Sequence, residues 1–196
     1  MTEAKHFNSN NMGAISQRQF DAHYALYSGY INKINEIDKG LKDSTAKTTS
    51  NAVYSPYRAL KEGETFCLDS IILHELYFQN LGIENESVPN AAFNQIATKH
   101  FGGFNKWLED FTSCAQSARG WVIFGYEQRT NTFRNILLDA HNVGTVVMHY
   151  PILVLDMYEH AYYVDYINDK NSYIKNFVKN TNWTAVNNRL DKLNIN

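Results

Sequence analysis

Behind Ser16, apolar and aromatic side chains recur at steps of three and four: Phe20, His23, Tyr24, Tyr27, Tyr30, Ile31, Ile34 and Leu41. That period gathers them on one face of an α-helix, and Ser16 followed by Gln19 has the spacing of a capping box. The pattern predicts one long amphipathic helix. Lys42 to Tyr57 is then polar, rich in Ser, Thr and Asn, with Pro56 near its end, and reads as a connection. A second helix is expected from about Glu64 to Leu81, carrying Ile71, Ile72, His74, Leu76 and Tyr77, with Gly82 ending it in the left-handed conformation. The first half therefore reads as an antiparallel helical hairpin.

The stretch Glu84 to Asn90, containing Pro89, turns polar and marks a boundary, dividing the chain into 1–88 and 89–196. Helices are expected over Ala91–Phe101 and Phe104–Ser117, separated by Gly102-Gly103. From Gly120 the period changes to that of strands: Trp121–Tyr126 and Phe133–Leu138 form a hairpin, and Ile152–Asp156 is apolar enough to be a buried third strand. Two or three helices should follow from Tyr158 to Leu193. The pattern as a whole is α+β, helices first and a small sheet with helices after.

Composition narrows the function. The chain has 196 residues, 44 % of them apolar, enough for a globular core, and its net charge of −2 comes from interspersed charges. There is no basic stripe for nucleic acid and no polybasic arm for a membrane surface. The first residues lack an apolar leader and no stretch approaches the length of a membrane span, so a cytoplasmic protein is expected. Cys67 and Cys114 lack metal-finger spacing and read as buried, reduced thiols. Thirteen Tyr and eleven Phe lean toward a pocket or an interface lined with rings.

Among seven histidines, His6, His100 and His149 read as ordinary packing residues. His23 and His74 lie on the apolar faces of two helices that should pack together, so their rings can converge. Asp156 closes a buried strand, where a carboxylate is expensive to desolvate without a cation or donors, and His160 follows four residues later. Three imidazoles and one carboxylate without thiolate suit Fe or Mn and leave a coordination position open.

The segment Asp156-Met-Tyr-Glu-His-Ala-Tyr-Tyr-Val-Asp-Tyr166 resembles the signature Asp-x-Trp-Glu-His-Ala-Tyr-Tyr of the iron/manganese superoxide dismutases. The likeness runs from about Ile15 to Leu193. It includes His23-Tyr24 with Tyr30 and Asn32, His74-Glu-Leu-Tyr-Phe-Gln-Asn80, Phe101-Gly-Gly-Phe104 and Gly120-Trp121. It implies a helical hairpin followed by a domain with a three-stranded antiparallel sheet. It also implies one Fe or Mn ion per subunit, held by His23, His74, Asp156 and His160, and the conversion of superoxide to dioxygen and hydrogen peroxide.

Further roles follow from the same resemblance. His141, in Leu137-Leu-Asp-Ala-His-Asn142, takes the place of a Gln that holds the metal-bound water or hydroxide. Tyr30 stands at the mouth of the substrate funnel, Trp121 walls the site, and Tyr27 replaces a gateway His. Glu159 and Tyr163 fall on family contacts across a two-fold interface, so a homodimer is expected, with a tetramer as the alternative. His141 together with Ser70 leans to iron, or to acceptance of both metals. His23 to Tyr30 is one residue shorter than the family spacing, which implies a regular helix without a π-bulge. Tyr158 at the signature Trp and the missing Leu-Pro-Tyr motif are the other departures. A zinc hydrolase would need a positioned base, and no His-Glu-x-x-His helix supplies one. The remaining alternative is a catalytically silent homologue that binds metal for structure or storage.

Overall fold

A computed structural model describes residues 1–9 and 12–193. Two long helices lead, α1 (Gln17–Lys42) and α2 (Pro56–Asn80). They run antiparallel: Gly40 meets Leu60 at one end, and the His23 and His74 rings meet at the other. Ser16 Oγ accepts the Gln19 N–H at 3.1 Å, so the expected cap forms. The helix is α-helical throughout, with no π-turn between His23 and Tyr30, as its shortened spacing implied.

The start and end of α2 differ from expectation. The helix begins at Pro56 rather than near Glu64, because Ser55 accepts the Arg58 N–H at 3.1 Å and Pro56 occupies the first turn, where a missing N–H is harmless. The polar face of that turn hid it. At the other end, Leu81 caps in an extended conformation (φ −72°, ψ 130°) and Gly82 is not left-handed. Glycine is needed there for close approach: a Cβ would lie 3.0 Å from the Asn182 nitrogen. Between the helices, Ser44–Lys47 is one 3₁₀ turn capped by Asp43.

Helices α3 (Ala91–Phe101) and α4 (Phe104–Ser117) fall where the pattern put them. Gly102 (φ 88°) and Gly103 (φ 130°) make the turn between them, a backbone that side chains resist. Strands β1 (Trp121–Glu127), β2 (Thr132–Leu138) and β3 (His149–Asp156) form one antiparallel sheet in the order β2-β1-β3. Trp121 pairs with Asp156, so both sit at the same end of the sheet. β3 starts earlier than expected because Pro151 is accommodated on this edge strand, opposite a register shift at Phe124/Gly125. After β3 come a 3₁₀ turn (Glu159–Ala161), a short α5 (Tyr163–Tyr166), α6 (Lys170–Lys179) and α7 (Trp183–Asp191). No helix among the described residues is long and apolar enough to cross a membrane.

Two layers of contact hold the sheet. Phe93, Trp107, Phe111 and Phe124 are fully buried in one aromatic cluster, which accounts for part of the ring-rich composition. On the other side α2 is fastened to β3: Asn80 Nδ2 donates to Val154 O at 2.8 Å, and Arg189 Nη1 from α7 donates to Ile152 O at 2.8 Å. Arg189 Nη2 also donates to Leu76 O at 3.2 Å and Gln79 Oε1 at 2.8 Å. Burial lowers the Arg189 pKa to about 10, still above neutrality. Arg189→Met strands these acceptors and should lower the unfolding free energy by about 3 kcal/mol in urea titration; a loss under about 0.5 kcal/mol, the size of an ordinary surface change, would remove Arg189 from this role.

Candidate metal centre

α1, α2, the end of β3 and the turn behind it each bring one side chain to a common point. His23, His74 and Asp156 are fully buried, and the His160 side chain is one quarter exposed. One ligand-type atom from each lies within 4.8 Å of all the others. Asp156 Oδ2 is 3.0 Å from His23 Nε2, 3.1 Å from His160 Nε2 and 3.9 Å from His74 Nε2. Its other oxygen accepts the Tyr158 N–H at 2.9 Å, and its carbonyl accepts the Tyr173 hydroxyl at 2.9 Å.

His74 shows which nitrogen is offered inward. Its Nδ1 lies 2.7 Å from Ser70 O, a pure acceptor, so Nδ1 carries the proton and Nε2 keeps its lone pair. That Nε2 is buried with no hydrogen-bond partner, and so is His23 Nδ1. Buried polar atoms are rarely left so, and a lone pair aimed at a carboxylate and two further imidazoles is what a cation would satisfy.

Electrostatics follow the same arrangement. Burial, and next the neighbouring His23, push His74 down to about 3, and burial also lowers His23. Burial works against the charged form of His160 too, yet the Asp156 carboxylate outweighs it and the His160 pKa is raised. Asp156 would rise through burial, but His160 and His23 hold it well below the usual carboxylate range. In the metal-free protein these shifts set opposite slopes. Below pH 6.5 the unfolded chain protonates His23 and His74 while the folded chain resists, so their contribution is lost as pH falls toward about 3. Above pH 6.5 the folded chain retains the His160 proton, and that contribution is lost as pH rises through its raised pKa. Urea unfolding of metal-free protein should show stability decreasing from pH 6.5 to 4.5, with a slope that flattens in His74→Gln; an unchanged slope in that variant would contradict the assignment.

Beside the cluster runs a hydrogen-bonded chain. Trp121 Nε1 donates to His141 Nδ1 at 2.9 Å, which leaves the His141 proton on Nε2, 3.1 Å from the Tyr30 hydroxyl oxygen. His141 is only 2 % exposed, and burial pushes its pKa down to about 4, so it remains a neutral imidazole at pH 7. Burial raises Tyr30, which stays protonated. The Tyr158 ring stacks on His160 at 5.1 Å and packs beside His141 at 5.1 Å, so the ring at the signature Trp position still lines the cluster.

Tyr27 packs beside His74, with ring centroids 6.4 Å apart. It is fully buried, and its hydroxyl donates to Glu75 Oε1 at 3.0 Å while accepting the Lys5 N–H at 2.9 Å. Leu26, four positions before Tyr30 on α1, is 42 % exposed and lines the same cleft between α1 and α2 as Tyr30. Glu159 is exposed and Tyr163 is 51 % exposed, next to Val164 and Ile167.

Residues 89–189, just over half of the chain, match the family described as iron/manganese superoxide dismutases, C-terminal domain. Over 190 residues the chain is 38 % identical to an iron superoxide dismutase of Aquifex pyrophilus, covering 95 % of this chain and 89 % of that relative. The chain belongs to the iron/manganese superoxide dismutase family. An iron superoxide dismutase of Aquifex aeolicus matches with the same identity and coverage. A manganese superoxide dismutase of Halobacterium salinarum is 30 % identical over 170 residues, 87 % of this chain and 83 % of that one. The family's dismutases thus include relatives named for each metal, and the buried donor set here fits such an ion: borderline nitrogens, one hard oxygen and an unsatisfied lone pair pointing inward.

Several features of the site escaped the sequence. The contact of the Ser70 carbonyl with His74 is one, which the helical i−4 spacing could have signalled, although the sequence singles out Ser70 itself. Phe66, two turns before His74, packs on His141 at 4.6 Å and on Tyr30 at 6.0 Å. Tyr173, which holds the Asp156 carbonyl, had no local signal.

Proposed function

We propose that His23, His74, Asp156 and His160 hold a single iron or manganese ion, and that the chain disproportionates superoxide at this site. The observation that carries the reading is the convergence of three imidazoles on the fully buried Asp156, with His74 Nε2 otherwise unpartnered. When bound, the metal supplies one-electron redox chemistry, taking an electron from one superoxide and giving it to the next. The net reaction consumes two superoxide anions and two protons and yields dioxygen and hydrogen peroxide.

The chain's own residues supply order and protons. Asp156 offers the negative charge that offsets a cation in a dry site, and the Tyr158 N–H fixes its second oxygen. Trp121 holds His141 in one tautomer, and His141 donates to the Tyr30 oxygen. The Tyr30 proton is therefore directed away from His141 and is available to hand to a departing peroxide, while the His141 Nε2–H steadies the phenolate oxygen until a proton from solvent restores it. Trp121, fully buried, excludes water from the sheet side.

Two ligands come from each of the segments 1–88 and 89–196, which act as two lobes closing on the ion. Glu159 and Tyr163, exposed around a ligand turn, form the contact of a homodimer. Ser70 together with the imidazole of His141 favours iron, or use of both metals, and the two free thiols suit the cytoplasm. Metal analysis of purified chain should find one Fe or Mn per subunit; a stoichiometry of two, or zinc alone, would reject the proposal.

A further inference from the structure

Gln19 was read from the sequence as half of a capping box, in which its side chain would turn back to the Ser16 N–H. The backbone half of the box forms, but the amide goes elsewhere. Gln19 is fully buried, its Nε2 donates to His160 O at 2.6 Å, and its Oε1 accepts the Val164 N–H at 2.9 Å. The Ser16 N–H is taken instead by Asp165 Oδ2 at 2.6 Å. One partner can only accept and the other only donate, so the orientation of the amide is fixed.

His160 O and Val164 N–H are four residues apart, the pair a continuous α-helix would bond to each other. The chain does not continue as a helix between them: the 3₁₀ turn ends at Ala161, and Tyr162 has φ −141° before α5 begins at Tyr163. Both groups are thus orphans of short elements, and a buried orphan costs about 1–3 kcal/mol. The Gln19 amide fills the gap between them. It does so one turn ahead of His23 on α1, so the same helix carries one member of the cluster and grips the backbone of another.

We propose that Gln19 is a positioning residue for His160, its amide standing in for a missing backbone bond so that the imidazole is held toward Asp156. This rests on the reading of His160 as a metal ligand. The turn's own backbone bonds, Ala161 N–H to Tyr158 O at 3.0 Å and Tyr162 N–H to Glu159 O at 3.1 Å, do not engage the His160 carbonyl, and the His160 side chain is partly exposed, so its direction depends on what else fixes its backbone. The second fastening of this region, Ser16 Oγ to Asp165 Oδ1 at 2.6 Å, is exposed and beyond the turn.

The test uses full-length metal-free protein refilled with cobalt(II) alone, reading its visible absorption bands and its dissociation rate into a chelator. Gln19→Leu, which removes both hydrogen bonds at similar length, should shift the bands and speed dissociation about tenfold or more, as loss of support to a ligand does. Gln19→Glu keeps an acceptor for Val164 but turns an oxygen on His160 O, and should do the same; it decides the matter if the Leu variant does not fold. Phe111→Leu, in the aromatic cluster beside Trp107, serves as a control of lowered stability and should leave bands and rate unchanged. Wild-type bands and rate in the Gln19 variants, or an equal change in Phe111→Leu, would overturn the proposal. A wild-type chain that takes up no cobalt would overturn the metal-site reading itself, an outcome distinct from either.

Discussion

Asp156→Asn is expected to lose bound metal and dismutation together, while circular dichroism and the oligomeric state stay near those of the wild type. The carboxylate is the only negative charge in the four-residue cluster, and it is fully buried against three imidazoles. An amide of the same shape that keeps its oxygen on the Tyr158 N–H turns its NH2, a donor without a lone pair to offer, toward the ion and toward rings that should present lone pairs. Loss of support around a metal ligand alone weakens binding about 10- to 100-fold, so loss of the ligand charge should reach at least the upper end of that range. The metal-free variant carries a second signature. With the carboxylate gone, nothing offsets the burial of His160, so its raised pKa should fall below the ordinary histidine value in a proton NMR titration. Full metal content with full activity in Asp156→Asn would show that the ion, or the chemistry, lies elsewhere.

His141→Leu should separate chemistry from binding. His141 touches none of the four ligands by hydrogen bond; its partners are Trp121 and Tyr30. Metal content should therefore remain at one ion per chain. Turnover should fall about 100-fold, the lower end of what general acid catalysis contributes, because the Tyr30 oxygen loses the N–H that orients it and steadies its charge. The Trp121 Nε1–H would lose its buried acceptor, for a stability loss of about 1–3 kcal/mol. His141→Gln, which can again accept from Trp121 and donate to Tyr30, should recover much of the turnover. Equal turnover in His141→Leu and the wild type would remove the hydrogen-bonded chain from the mechanism.

The parts that were legible in the sequence share a physical basis. α3 and α4 were placed to the residue because Asn90 caps one end and the glycine pair breaks the run between them. His23 and His74 were legible as polar groups on apolar helix faces and Asp156 as a carboxylate closing an apolar strand, which burial makes costly without a partner, while His160 was legible from the family signature. Reading failed where a choice depends on phase or on distant chain. Tyr27 and Leu26 both lie within about one turn of Tyr30, and only the packing around α1 decides that Tyr27 is buried and Leu26 exposed. The first turns of α2 are polar because they are exposed, so periodicity could not extend the helix back to Pro56. Gln19 obeyed a local motif with its backbone and a partner 141 residues away with its side chain, which no local pattern reports. The fastening of α2 to β3 by Asn80 and Arg189 was invisible for the same reason.

The central claim, a redox metal held by His23, His74, Asp156 and His160 and used on superoxide, is tested most directly by reconstitution. Metal-free chain would be refilled separately with iron, manganese and zinc, and each preparation assayed for superoxide decay by pulse radiolysis and for bound metal by mass spectrometry. One ion per chain with rapid decay for iron or manganese, and none for zinc, is the predicted result. Tight binding of zinc alone, or iron and manganese bound at one per chain without superoxide decay, would contradict it.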